Sequence, residues 1–128
     1  MLAPLRSLTP SLDAALDTLA RTDRADVLRR FAVWCARTAD PSARTAHVLA
    51  LAELAAEGAL PTDLLDEARL ALDPASASEA VRACLAPFAG DAARGAARAA
   101  AASQPSRPAP AFEAEALAVL HDLHALAA

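Results

Sequence analysis

Apolar residues recur along most of this chain at the spacing of one helix face. Leu12, Leu16 and Leu19 begin the pattern, because residues three and four positions apart lie on the same side of a helix. Thr9-Pro10 precedes them as a capping residue followed by proline at the first helical position. The same reasoning predicts seven helices, at about residues 9–21, 23–38, 41–57, 63–72, 77–86, 92–102 and 111–127.

Capping and turn residues set the limits of the predicted helices. Gly58 is expected to close the third helix in the left-handed conformation, with Leu60 folding back onto the core. Thr62 is expected to cap the fourth helix, and Ser76 to Glu79 form a capping box before the fifth. The middle of the third helix, residues 48–52, contains no polar side chain. We therefore predict that the third helix is the central one, buried on most faces.

Strand-forming residues are scarce in this composition. The chain has no Ile or Tyr and only five Val, against 39 Ala and 20 Leu, which favours helices over strands. The prediction is an all-α bundle of six or seven short helices, packed orthogonally or as helical hairpins. An offset of 33 residues relates Asp40-Pro41 to Asp73-Pro74, a spacing similar to hairpin repeats of the tetratricopeptide or HEAT kind. The predicted core is Leu12, Leu16, Leu28, Phe31, Trp34, Val48, Leu51, Leu65, Val81, Leu85 and Leu120.

A proline-rich segment divides the chain near its end. Residues 103–110 contain three prolines, so we predict an extended linker between a helical domain at 1–102 and a C-terminal amphipathic helix at 111–128. An isolated helix of this length is marginal in water, so its apolar side must dock. Docking in cis completes the bundle, whereas docking in trans gives a swapped dimer or a helix-in-groove contact.

Charge and composition exclude several classes of protein. The net charge of −4 and the pI near 5.2 argue against a nucleic-acid-binding protein, which needs a basic surplus. No window reaches the roughly 20 apolar residues of a membrane span, and the start lacks the pattern of a signal peptide. Two cysteines in 128 residues fit a reduced chain, so we expect a cytoplasmic protein. Arg without any Lys, in an Ala-rich chain, is typical of a GC-rich bacterial genome.

Few residues offer catalytic or metal-binding chemistry. His121 and His124 have the i, i+3 spacing at which two imidazoles reach one metal, but a site needs a third ligand, and we expect two ordinary histidines. Cys35 is expected to be a buried thiol and His47 a histidine at the edge of the core. The sequence has neither a glycine-rich phosphate loop nor a nucleophile elbow. We therefore predict no cofactor and no enzymatic activity.

The leading functional prediction is a non-catalytic protein–protein interaction or scaffold module that self-associates. Apolar residues make up 55% of the chain and aromatic residues 3%. A small domain buries only about 65% of the surface that its unfolded chain exposes. Apolar faces should therefore remain for a protein partner, most simply a homo-oligomer. The predicted interaction residues are Phe112, Val119, Leu120, Leu123, Arg94 and Arg98.

Two alternatives remain open. The first is an immunity or antitoxin-type inhibitor of a cognate toxin, acting through the acidic segment 63–79. The second is a small metal- or ligand-binding helical protein. Residues 31–41 and 44–60 are similar to bacterial putative-immunity proteins in carrying Trp34, Cys35 and Gly58. Trp34 and Cys35 are adjacent here, where that family's pattern has a gap, so we assign no family from the resemblance.

Overall fold

The computed structural model describes residues 10–22, 24–40, 46–71, 79–86, 88–103 and 109–127. These residues form an all-α bundle and contain no strand, as predicted. The predicted capping residues Thr9 and Ser76, and the side chain of Thr62, lie outside what the structure describes. The helices are α1 (Pro10–Arg21), α2 (Ala25–Ala39), α3 (Ala46–Ala56), α4 (Thr62–Ala71), α5 (Glu79–Cys84), α6 (Ala89–Ala102) and α7 (Ala109–Ala127).

The second helix, not the third, is at the centre of the bundle. Five helices pack against α2, namely α1, α3, α5, α6 and α7. The prediction for α3 was wrong, because this helix packs on α2, α4 and α5 and exposes His47, Ala50 and Leu54. Exposing alanine costs little, so an unbroken apolar run does not by itself require burial on every side.

The most extensive helix contact joins α2 to α6, two elements that are far apart in the sequence. In a solenoid of hairpin repeats, each unit contacts only its neighbours. The described helices therefore form a bundle and not a stack of hairpin repeats in which each unit contacts only its neighbours.

Alanine forms the whole buried face of α6. Small side chains at a helix contact allow the two helix axes to approach closely. A Cβ added at Gly95 would lie 3.1 Å from the Cβ of Ala83 on α5, which leaves no room for a larger side chain. The buried alanines are Ala92, Ala93, Ala96, Ala97, Ala100 and Ala101.

Gly58 ends α3 as the sequence predicts. Its φ is +77°, a left-handed conformation that only glycine adopts without strain. The amide of Ala59 donates to the carbonyl of Leu54 at 2.9 Å, and the amide of Gly58 donates to that of Ala55 at 3.1 Å. These two bonds form a Schellman motif, and Leu60 packs against the core after it.

The C-terminal helix docks in cis. Phe112, Ala116 and Leu120 on α7 are fully buried, and the helix packs against α1, α2 and α6. It begins at Ala109 rather than at 111, and residues 104–108 of the predicted linker lie outside the described part of the chain. The helix therefore supplies one wall of the bundle.

The predicted core is buried with two exceptions. Trp34 and Leu51 are half-buried, and the remaining predicted core residues are buried. Leu64 on α4 was also expected to point inward, but its exposed fraction is 42%. All three lie at helix edges, where the spacing of apolar residues does not distinguish a core position from its neighbour.

Candidate functional site

One stripe of α2 is only partly covered by the five helices that pack against it, and Val33 is the one buried residue on it. Arg30, Val33, Trp34 and Arg37 follow one another at spacings of three, one and three residues, which places them on one side of the helix. Arg30 and Arg37 are exposed and Trp34 is half-buried, whereas most of α2 on its other sides is buried. This stripe is the floor of the groove described next.

A groove of about 350 Å³ runs over this stripe between α3 and α7. Glu53 on α3 and Glu57 in the turn just after it form one wall, and Val119 and Leu123, one turn apart on α7, form the other. Val33 and Trp34 supply the apolar floor. We call this feature the α2–α3–α7 groove.

Trp34 joins the groove to the core. Its ring stacks on Phe31 at a centroid distance of 6.1 Å and on Phe112 of α7 at 5.8 Å, with interplanar angles of 24° and 20°. The prediction that Trp34 is buried in the main core was wrong in part, because the groove leaves the indole half-buried. Stacked aromatic pairs of this kind hold the ring in a defined orientation.

The rim of the groove is basic on the α2 side and acidic on the α3 side. Arg37 forms an ion pair with Glu53 across the rim. Arg30 and Glu57 are exposed, and neither forms an ion pair with any residue that the structure describes. An exposed ion pair contributes little to stability, so the rim charges are free to serve recognition.

Two of the six predicted interaction residues line this groove, and three others serve the fold. Val119 and Leu123 form the α7 wall. Phe112 and Leu120 were wrong as contact residues for a partner, because both are fully buried against the bundle. The apolar stripe of α7 contains core positions and edge positions alike, and helical spacing alone does not separate them.

The two predicted arginines of α6 have different surroundings. Arg94 lies 3.3 Å from a carboxylate oxygen of Asp13 and 3.4 Å from one of Asp17. It therefore ties α6 to α1, and its role as a partner contact stays a prediction. Arg98 is exposed on α6 and stays a prediction.

Arg29 is a buried residue whose role the sequence analysis missed. Only 3% of this side chain is exposed. Its guanidinium donates to the carbonyl of Cys84 at 3.1 Å and to that of Ala86, which satisfies acceptors at the end of α5. Burial lowers the pKa of Arg29. In the sequence, Arg29 lies seven residues before Ala36, a spacing that places both residues on the same buried face of the helix.

Both cysteines are buried free thiols, as the sequence predicts. Burial, with a smaller contribution from Cys84, raises the pKa of Cys35. Burial also raises the pKa of Cys84 to about 12, although Arg29 and Arg37 act in the opposite direction. Since the thiolate is the nucleophile, neither side chain supplies one at neutral pH.

The histidines lie away from the groove. His121 and His124 are exposed on α7, and no group of three metal-ligating side chains forms among the described residues. His47 is exposed near the start of α3, so its placement at the edge of the core was wrong. His47 is exposed although its neighbour Val48 is buried.

The acidic segment proposed for toxin binding is described only in part. Asp63 and Glu67 are exposed on α4, and Asp66 pairs with Arg69 of the same helix. Residues 72–78 lie outside the described residues. The inhibitor interpretation thus stays a prediction.

The groove is the feature of the described residues on which the functional proposal below is based. None of the described helices has the length and apolar character needed to cross a bilayer. No protein-family model, curated protein or solved structure matches this chain.

Proposed function

We propose that this chain is a non-catalytic helical interaction module that associates with further copies of itself. The observation that supports this proposal is the partly covered stripe of α2 that forms the floor of the groove. Five helices pack against α2. On the side that they leave partly open, the groove has an apolar floor made by the half-buried Trp34 and the buried Val33. Covering apolar surface releases about 25 cal/mol per Å², so a further helix or side chain seated here would be stabilising.

The shape of the groove supports a protein partner. The α7 wall is a ridge of two side chains one turn apart, a spacing that suits the ridges of another helix. Its rim carries both signs of charge, which would orient a partner rather than attract any charged molecule. Large apolar residues exposed singly elsewhere, such as Leu70 and Phe88, are normal for a protein surface.

The chemistry of the described side chains supports a non-catalytic function. The cysteines are held protonated by burial, and the histidines are exposed and remote from the groove. Two free thiols also fit a reducing compartment, and we propose a cytoplasmic location on this basis.

A second candidate function is binding of a small apolar molecule in the same groove. A volume of about 350 Å³ is within the range of small-molecule sites, which combine apolar walls with a few charged groups. Arg30 at the mouth would favour a carboxylate. This candidate predicts a rise in melting temperature with medium-chain fatty acids, and that rise should disappear in Arg30→Ala.

Sedimentation equilibrium tests self-association directly. Loaded from low micromolar to submillimolar protein, the chain should show a mass that rises from 13.1 kDa to at least twice that value. Trp34 is the only tryptophan, so its emission should shift to the red on dilution as the groove becomes solvated. A mass of 13.1 kDa at every concentration would overturn the proposal.

A further inference from the structure

We propose that the α2–α3–α7 groove receives the C-terminal end of α7 from a second copy, with Leu126 as the anchor, in a two-fold dimer. This inference rests on the proposed function of self-association and specifies its surfaces. It follows from an apolar stripe that begins inside the groove and continues beyond it.

The stripe consists of Val119, Leu123 and Leu126 on α7. At about 100° of rotation per residue, Leu126 lies only about 20° from Val119 around the helix axis. Val119 and Leu123 are half-buried groove residues, whereas Leu126 is 83% exposed, the highest value among the exposed large hydrophobic residues. An apolar side chain in line with a groove wall, but itself uncovered, is suited to insertion into an identical groove.

Two-fold symmetry closes this contact. Every copy carries both the groove and the protruding leucine, so one copy's Leu126 can enter the other's groove while the reverse contact forms. Seven residues separate Val119 from Leu126, and seven separate Arg30 from Arg37 along the floor, which is about 10 Å in each case. The distance from Leu126 to the groove residue Val119 of its own copy therefore equals the length of the floor.

Charge on the rim fits the same pairing. Asp122 lies about 60° from Val119 on the groove side of α7. Asp122 and Arg30 are both exposed, and neither has an ion-pair partner among the described residues. In the dimer, Asp122 of one copy approaches Arg30 of the other, and the symmetry gives this ion pair twice. Arg30 is available for it because Glu53 is already paired with Arg37.

The histidines lie on the opposite edge of α7 from the proposed contact. His124 is about 140° and His121 about 160° from Val119 around the axis, and both are exposed. The contact thus uses the one edge of α7 that combines apolar residues with acidic ones.

The first experiment compares Leu126→Glu with Leu70→Glu as a matched control. Leu70 is 75% exposed on α4, so both variants add a charge at a solvent-facing leucine and should keep the wild-type melting temperature. Sedimentation equilibrium should show at least a 30-fold weaker dimer for Leu126→Glu and no change for Leu70→Glu. Equal dimerisation of both variants, or equal loss in both, would overturn the inference.

The second experiment reverses the rim charges. Arg30→Asp and Asp122→Arg should each weaken the dimer about tenfold, and the double variant should recover most of the wild-type affinity. A double variant no tighter than the single variants would contradict the ion pair. If the wild-type chain is monomeric throughout, self-association itself fails; if it dimerises but none of the groove variants changes its affinity, only this inference fails.

Discussion

Replacing Arg29 by methionine should destabilise the fold by about 3 kcal/mol. The guanidinium donates to the carbonyls of Cys84 and Ala86, and a hydrogen bond from a charged group contributes about 1.5–3 kcal/mol. Burial of the charge, which lowers the pKa of Arg29, offsets part of the combined gain. Methionine keeps an apolar stem but leaves both acceptors without this donor, so the loss exceeds that of packing alone.

Urea unfolding followed by circular dichroism measures this loss, and the next residue provides the control. Arg30 is exposed and has no ion pair with a described residue, so in protein dilute enough to be monomeric Arg30→Met should change the unfolding free energy by less than about 0.5 kcal/mol. Arg29→Lys keeps the charge but not the planar guanidinium, so its loss should fall between the two.

Hydrogen exchange separates a local effect from a global one. Because Arg29 bonds to carbonyls at the end of α5, amides of residues 79–86 should lose protection first in Arg29→Met. The reasoning would be refuted if Arg29→Met were as stable as the wild type. That outcome would mean that removing the buried charge gains as much as the lost hydrogen bonds cost.

Three further predictions concern the thiols, the turn after α3 and the docking of α7. The free energy of unfolding should fall as the pH rises above about 8.5, where unfolded thiols ionise, because Cys84 stays protonated in the fold to about pH 12. Each buried thiol lowers the free energy of unfolding by about 1.4 kcal/mol per pH unit in this range. Urea titrations of the reduced wild type and of Cys84→Ala should therefore differ in their pH dependence by that slope. Gly58→Ala should cost about 1 kcal/mol through its φ of +77°, whereas Gly90→Ala, whose Cβ meets Ala20 at an ordinary 3.7 Å, should be neutral or slightly stabilising. Phe112→Ala should cost about 3–5 kcal/mol in the same assay, and a loss below about 1 kcal/mol would contradict cis docking.

The sequence predicted what depends on local chain chemistry. Helix limits follow from residues that act within one turn, and for this reason the left-handed conformation of Gly58 at the end of α3 was predicted correctly. The all-α class followed equally directly from a composition poor in strand formers.

The groove could be predicted only in part, because its walls come from three helices that are distant in the chain. Val119 and Leu123 were identified as an apolar edge of α7, but nothing local places Glu53 and Glu57 opposite them. Which edge of each helix meets another depends on packing angles. For the same reason the central position of α2 and the burial of Arg29 became visible only in the assembled bundle.

The alanine face of α6 makes half of the central contact invisible to alanine scanning. Its six buried positions already carry the scanning residue, so such an experiment would report nothing from the α6 side of the most extensive helix contact in the bundle. Replacement by glycine costs backbone entropy, about 1 kcal/mol at each position, and nearly every other substitution adds volume where none is free. Both smaller and larger residues are therefore expected to destabilise the fold at these positions, and mutagenesis with residues other than alanine is needed to measure what the α6 face contributes.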